Sequence, residues 1–235
     1  MSPRRDKQPA SHGTRTARLS AAKGLFKWCV RQELVRTSPA AHVTAGRPPQ
    51  RVPRHLTPDE IRLLLCEGCA DHRDRAIIVT SLQVGMRRGE LVRMDIEDVD
   101  WSTGILLIHG KGNRERRRPL PDEAAEMLQR LLAEYPAAEG PVFRSYKTGR
   151  RLTVAGMAHV TRLIFERSGI KRRAFDGKTL HACRHTMVSE VLATHGPWAA
   201  NEAAGHESWS SFSYYARGMV SDELRQAMEG RRYAS

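Results

Sequence analysis

The last third of the chain holds residues whose types and spacing suit one reaction. His181 and Arg184 stand three apart in His181-Ala182-Cys183-Arg184, a separation that places both on one face of a helix. His206 follows Arg184 by 22 residues, directly after Gly205, and Tyr215 follows His206 by nine. Two imidazoles, a guanidinium and a phenol supply proton handlers, a phosphate clamp and a nucleophile. That set suits attack on a phosphodiester without a metal. It implies an enzyme acting on DNA rather than a basic protein that merely adheres to it.

A scaffold must hold these groups, and 235 residues suffice for one good-sized domain and a small one. With 40% hydrophobic and 28% charged residues the composition is globular. No apolar run approaches the ~18 residues of a membrane span, and the basic N-terminus lacks the apolar stretch of a secretory signal. Cys29, Cys66, Cys69 and Cys183 make no disulfide framework in a chain this size, which points to a reducing cytoplasm. Cys66, Cys69 and His72 are a weak metal candidate, because no second pair stands at zinc spacing and the cysteines fall in an apolar helix.

The net charge is +13 and unevenly spread. Residues 1–54 carry 12 Lys and Arg against 2 acids, whereas residues 55–235 carry 27 against 24. A basic N-terminal segment is the electrostatic footprint of a polyanion partner. Residues 1–14 show no hydrophobic period and are expected to be a disordered basic tail. Residues 15–36 repeat apolar side chains at helical spacing, with Arg18, Lys23, Lys27 and Arg31 on the other face. A lone amphipathic helix cannot bury its own stripe, so this one must dock on something. Residues 45–54, with three prolines and three arginines that include Arg51 and Arg54, read as a linker.

Beyond the linker, Thr57-Pro58-Asp59-Glu60 predicts a capped helix start. An apolar helix over 73–84 should end at Gly85. Residues 105–108 predict a short buried strand, 110–113 a turn, and 114–120 its antiparallel partner. Helices are expected over 122–134, 153–168, 181–195, 197–204, 208–216 and 221–229. The fold class that follows is mainly α with a small antiparallel sheet, an α+β arrangement.

Further candidates lie along these elements. In Gly85-Met86-Arg87-Arg88-Gly89-Glu90 one helix stops and another begins. Arg87 there can aim its fork at an anion, Arg88 can grip DNA, and Glu90, one turn on, can orient an Arg. Lys111, between two glycines at the hairpin tip, can reach a neighbouring groove as a phosphate binder or proton donor. Arg114, Arg116, Arg117 and Arg118 on the return strand read most simply as DNA-backbone contacts.

Each element alone is an ordinary surface feature; their order and spacing together are not. They resemble the tyrosine recombinase (phage integrase) family over residues 15–230. Residues 85–91 resemble the family's first box, with its Arg at Arg87. Residues 109–116 resemble its hairpin, with the catalytic Lys at Lys111. Leu180-His181-Ala182-Cys183-Arg184-His185-Thr186 resembles the second box, and Gly205-His206 the family's Gly-His. The nine-residue step then selects Tyr215 over Tyr214. The chain departs from the family pattern in two places. The interval from Arg184 to Gly205 is one residue short, with Pro197-Trp198 where the shortening falls. At the N-terminus only the last helix and linker of a four-helix DNA-clamp domain correspond, at residues 15–54, ahead of an integrase-like catalytic domain at 55–235.

The resemblance implies a site-specific recombinase or integrase that joins Tyr215 to a DNA 3′-phosphate. Arg87 and Arg184 would clamp the phosphate, His181 would act as base, His206 would bond the phosphate, and Lys111 would protonate the leaving oxygen. No metal, cofactor or ATP is expected. The implied partners are double-stranded DNA with specific sites, a homotetramer on that DNA, and accessory proteins; no membrane is involved, and a cytoplasmic, nucleoid-associated location follows. Two alternatives stay open. A type IB topoisomerase would relax supercoils by similar chemistry, and a truncated, non-catalytic remnant would only bind DNA.

Overall fold

The computed structural model describes residues 10–46, 54–110, 115–171 and 177–205. The chain divides into two compact units, Met1–Arg51 and Val52–Ser235. The first is built on helix α1 (His12–Arg31). The helix starts three residues ahead of the apolar period, because the Ser11 hydroxyl accepts from the Thr14 N–H at 3.2 Å and caps it. It stops at Arg31, and the chain then turns through Glu33 in the left-handed region, φ 58°. No residue of α1 is buried. Lys23 reaches back to the Ala41 carbonyl at 3.4 Å, and Ala40 is the buried apolar residue of the segment that follows.

The second unit is mainly α with one three-stranded antiparallel sheet. It opens with α2 (Pro58–Leu63), where the capping box forms as its sequence predicts: Glu60 N–H donates to Thr57 Oγ1 at 3.3 Å and Thr57 N–H to Glu60 Oε2 at 3.0 Å. A π turn at Leu64–Gly68 follows. Cys66 and Cys69 therefore lie on and beside that turn, not inside an apolar α-helix. Helix α3 (His72–Gln83), capped by Asp71, is the central rod and packs against helices α5 (Asp122–Glu134) and α7 (Leu180–Ala204), with α6 (Val154–Arg167) beside it. The buried residues of α5, Ala124, Met127, Leu128 and Leu131, recur at the spacing that makes one apolar stripe. Phe143, Phe165, Leu64, Ile77 and Ile78 fill the interior between these helices.

The sheet runs β1 (Val99–Asp100), β2 (Ile105–His109), β3 (Glu115–Pro119), with Leu106 opposite Arg118 and Ile108 opposite Arg116. β1 is two residues long, too short to show a period in sequence. β2 is half-buried rather than fully buried: Leu106 and Ile108 point to the core, and the residues between them are partly open. At the turn end of the paired strands His109 bonds Asp98 at 2.8 Å and the cross-strand Glu115 at 3.3 Å.

α7 bends at Gly196, whose φ of 78° and ψ of 179° break the helix just before Pro197. The two helices expected on either side of residue 196 are thus present, separated by this glycine break, and α7 denotes the pair. The helix ends in a left-handed cap at Gly205, φ 53°. The helices expected over 208–216 and 221–229 lie outside the described residues. No helix of the described residues is long and apolar enough to cross a membrane.

Candidate active site

Two elements bring the described candidates together. Arg87 precedes the short helix α4 (Arg88–Arg93), and its backbone N–H donates to Glu90 Oε2 at 2.7 Å while its Nη1 donates to Oε1 at 3.0 Å. The turn ahead of it needs Gly85 at φ 67°: a Cβ there would overlap Met187 Cε on α7. The Arg87 side chain remains 42% exposed, so its fork is held at one edge and presented at the other.

Glu90 is 4% exposed and carries a full carboxylate. Burial pulls its pKa upward, but the Arg87 N–H, the Arg116 guanidinium and that of Arg87 outweigh it, so the pKa lies below the ordinary value. Arg116 is bidentate on the same carboxylate, at 2.8 and 3.2 Å. In sequence Glu90 has one obvious Arg to orient; in the fold it orients two.

His181 and Arg184 occupy the first turns of α7. Arg184 is 1% exposed, and its two Nη groups donate to the carbonyls of Gly85 and Ala204. One anchor lies two residues before Arg87 and the other in the last turn of α7, so the guanidinium plane is set from two segments remote in sequence. His181 keeps an open edge and packs edge-to-face on His185, ring centroids 4.4 Å apart. Partial burial, then the charges of Arg184 and Arg87, lower its pKa from the ordinary 6.5. Both effects favour the neutral imidazole, the form able to take a proton. His185, four positions along the helix, is the buried neighbour on which His181 leans.

Arg87, Arg88 and His181 line one open groove of about 570 Å³ with Arg162, Lys171 and Lys178. The last three were not singled out in sequence; each is a single basic residue among many, and only α6 and the approach to α7 bring them to this wall. Lys178 pairs with Glu60, whose pKa is lowered because the Lys178 contact and the Thr57 N–H outweigh the effect of burial. An apolar pocket of about 190 Å³, lined by Leu131, Tyr135, Tyr146 and Arg73, shares no residue with the groove.

The remaining candidates fall elsewhere. On α1 Arg18, Lys27 and Arg31 are exposed and Lys23 is half-buried. Arg54 is exposed ahead of α2. Lys111, His206 and Tyr215, with Arg51 and Arg114, lie outside the described residues. Among the described residues no three His, Cys, Asp or Glu side chains form a metal-ligating group.

The chain has known relatives in both sequence and fold. The family model described as "Phage integrase family" matches residues 54–220. The chain is 30% identical over 215 residues to tyrosine recombinase XerC of Proteus mirabilis, covering 88% of this chain and 68% of that protein. It is 31% identical over 207 residues to XerC of Azotobacter vinelandii, covering 84% and 67%. Among solved structures, XerH site-specific recombinase bound to palindromic difH substrate aligns with a TM-score of 0.73 at 23% identity, covering 94% of this chain and 67% of that one. The integrase from mycobacterium phage Brujita aligns with a TM-score of 0.56 at 21% identity, covering 98% and 77%. At these identities the structural matches speak for the fold alone.

Proposed function

Because this chain belongs to the phage integrase family of tyrosine recombinases, we propose that it is a site-specific DNA recombinase that cleaves and rejoins strands through a covalent 3′-phosphotyrosine. The observation that carries this reading is the convergence of Arg87, Arg184 and His181: the charges of both guanidiniums bear on one imidazole that lines a basic groove. Residues 55–235 are the catalytic domain in this reading, and residues 15–54 part of a DNA clamp.

In the proposed step the Tyr215 oxygen attacks phosphorus, a P–O bond to Tyr215 forms, and the bond to the 5′-oxygen breaks. A phenol with a pKa of about 10 is a poor nucleophile at neutral pH, so His181 accepts its proton. Arg87 and Arg184 bind the non-bridging oxygens, which gain charge in the transition state; loss of one such donor typically costs ~10²–10³-fold in rate. His206 bonds the phosphate and Lys111 delivers a proton to the leaving 5′-oxygen. Two guanidiniums and a lysine supply the electrostatic work for which other phosphoryl-transfer enzymes use a divalent ion. The ester to Tyr215 conserves the energy of the broken bond, so a 5′-hydroxyl from another duplex reverses the step without ATP. Exchange between two duplexes needs four active sites, hence a tetramer on double-stranded DNA, acting in the cytoplasm at the nucleoid.

The test uses a duplex nicked beside the recombination site, the site being found by sequencing DNA retained on the tagged protein. The parent should form a denaturation-resistant adduct that Tyr215→Phe abolishes. An adduct lost in Tyr214→Phe and kept in Tyr215→Phe would move the nucleophile. Salt-sensitive binding with no adduct would leave a DNA-binding protein, and relaxation without strand exchange a topoisomerase.

A further inference from the structure

β3 alternates. Glu115, Arg117 and Pro119 are exposed, while Arg116 and Arg118 face inward. A run of arginines on a hairpin suggests phosphate contacts, yet these two guanidiniums are directed at the protein. Arg116 takes both oxygens of Glu90, the same two that accept from Arg87. Among the described residues its Nε is buried without a hydrogen-bond partner. On its other side the guanidinium lies against the backbone of Gly205: a Cβ there would stand 3.5 Å from Cζ, Nε and Nη1 of Arg116. Gly205 is the left-handed cap of α7 and the residue directly before His206. Arg118 adds a second tie, donating from Nη2 to the Glu202 carbonyl in the last turn of the same helix.

One side chain thus touches two parts of the candidate site that are remote in sequence. A guanidinium suits this place because it is flat enough to lie on a glycine and forked enough to take both carboxylate oxygens. A lysine could reach one oxygen but could not do both. We infer that Arg116 is a positioning residue, not a DNA contact: through Glu90 and Gly205 it holds the Arg87 turn and the end of α7 in fixed relation. The catalytic consequence rests on the recombinase reading above; the structural one does not. Because β3 is hydrogen-bonded along β2, the same contacts tie that strand pair to the Arg87 turn.

The test compares the full-length parent with Arg116→Gln and Arg116→Lys by three readouts. In amide hydrogen exchange without DNA, segments 85–90 and 202–205 should lose protection together in Arg116→Gln, while α5 and α6 keep theirs. Binding to a random-sequence duplex across a salt series should keep the parent slope; a direct phosphate contact would instead lower its magnitude by about 0.9. Single-turnover cleavage of the nicked duplex at saturating DNA should fall on the order of 10–100-fold, as expected when a reacting group is misplaced by about an ångström. Arg116→Lys should show the same joint loss of protection at smaller amplitude, and it decides the matter if Arg116→Gln does not fold. Protection unchanged at either segment, or a slope lowered by about one, overturns the inference. If the parent itself forms no adduct, the recombinase reading fails, while exchange and salt slope still decide the role of Arg116.

Discussion

At the scale of single residues the site is organised by what sits beside each charge. His181 titrates low because it is partly buried and faces two guanidiniums. In DNA-free protein its ring should titrate below pH 6.5, followed by NMR, and Arg87→Gln should raise the midpoint toward 6.5 by removing one positive neighbour. A parent midpoint at or above that value would contradict the placement. The sign for stability follows: below pH 6.5 the unfolded chain binds this proton more readily than the native one, so His181 erodes stability as pH falls. Glu90 acts in the same direction through a different window. Its native pKa is depressed from 4.5, so its contribution is complete above that pH and fades below it. Glu90→Ala leaves Arg116 facing no carboxylate and should cost about 3 kcal/mol in urea unfolding at neutral pH, the scale for breaking a buried pair. The variant should also lack the share of acid-side destabilisation that Glu90 gives the parent. That Glu90 could orient an Arg was legible from its three-residue step from Arg87. That it also holds Arg116 was not, because residues 90 and 116 meet only when the sheet packs beside α4.

At the scale of elements, glycines decide where the helices can turn. Gly196 combines φ 78° with ψ 179°, a region open to almost no other residue, and among the described residues a Cβ there would meet nothing within 4 Å. Gly196→Ala should therefore cost about 1–3 kcal/mol from backbone strain alone. Thermal unfolding would show it, and trimming a neighbouring side chain should not relieve it. Gly85→Ala differs, since its Cβ would overlap Met187 as well as strain the backbone. A second change, Met187→Ala, should recover the steric part and leave the backbone part. Periodicity revealed the pair of helices around residue 196, because a glycine–proline step between apolar runs is visible in sequence. It did not reveal β1, which is only two residues long, or the π turn at Leu64–Gly68. Pairing and an extra residue per turn are set by neighbours rather than by local propensity.

At the scale of the whole molecule, basic charge concentrates in the first 54 residues, and α1 carries it on an exposed surface. If α1 tracks a DNA backbone, replacing Arg18, Lys23, Lys27 and Arg31 with Gln should lower the salt slope of binding by up to about 3.6, at ~0.9 for each phosphate no longer neutralised. An unchanged slope would remove α1 from the interface. The apolar residues of the same helix, Leu25 and Trp28 among them, stand 57% and 53% exposed. The expectation that this stripe must dock is thus a demand the described residues of the helix do not meet by burial.

Residue type and spacing alone determined the family, the fold class and the candidate chemistry. His181 and Arg184 share a helical face by geometry, and capping residues and apolar periods act locally, so one dimension suffices to read them. The tertiary structure decided which charges are spent on one another and which stay exposed. Arg116 and Arg117 are neighbours of one type on one strand, yet the pleat turns the first to Glu90 and leaves the second exposed. Pairing energy depends on distance and burial, and both are set by chain segments far apart in sequence.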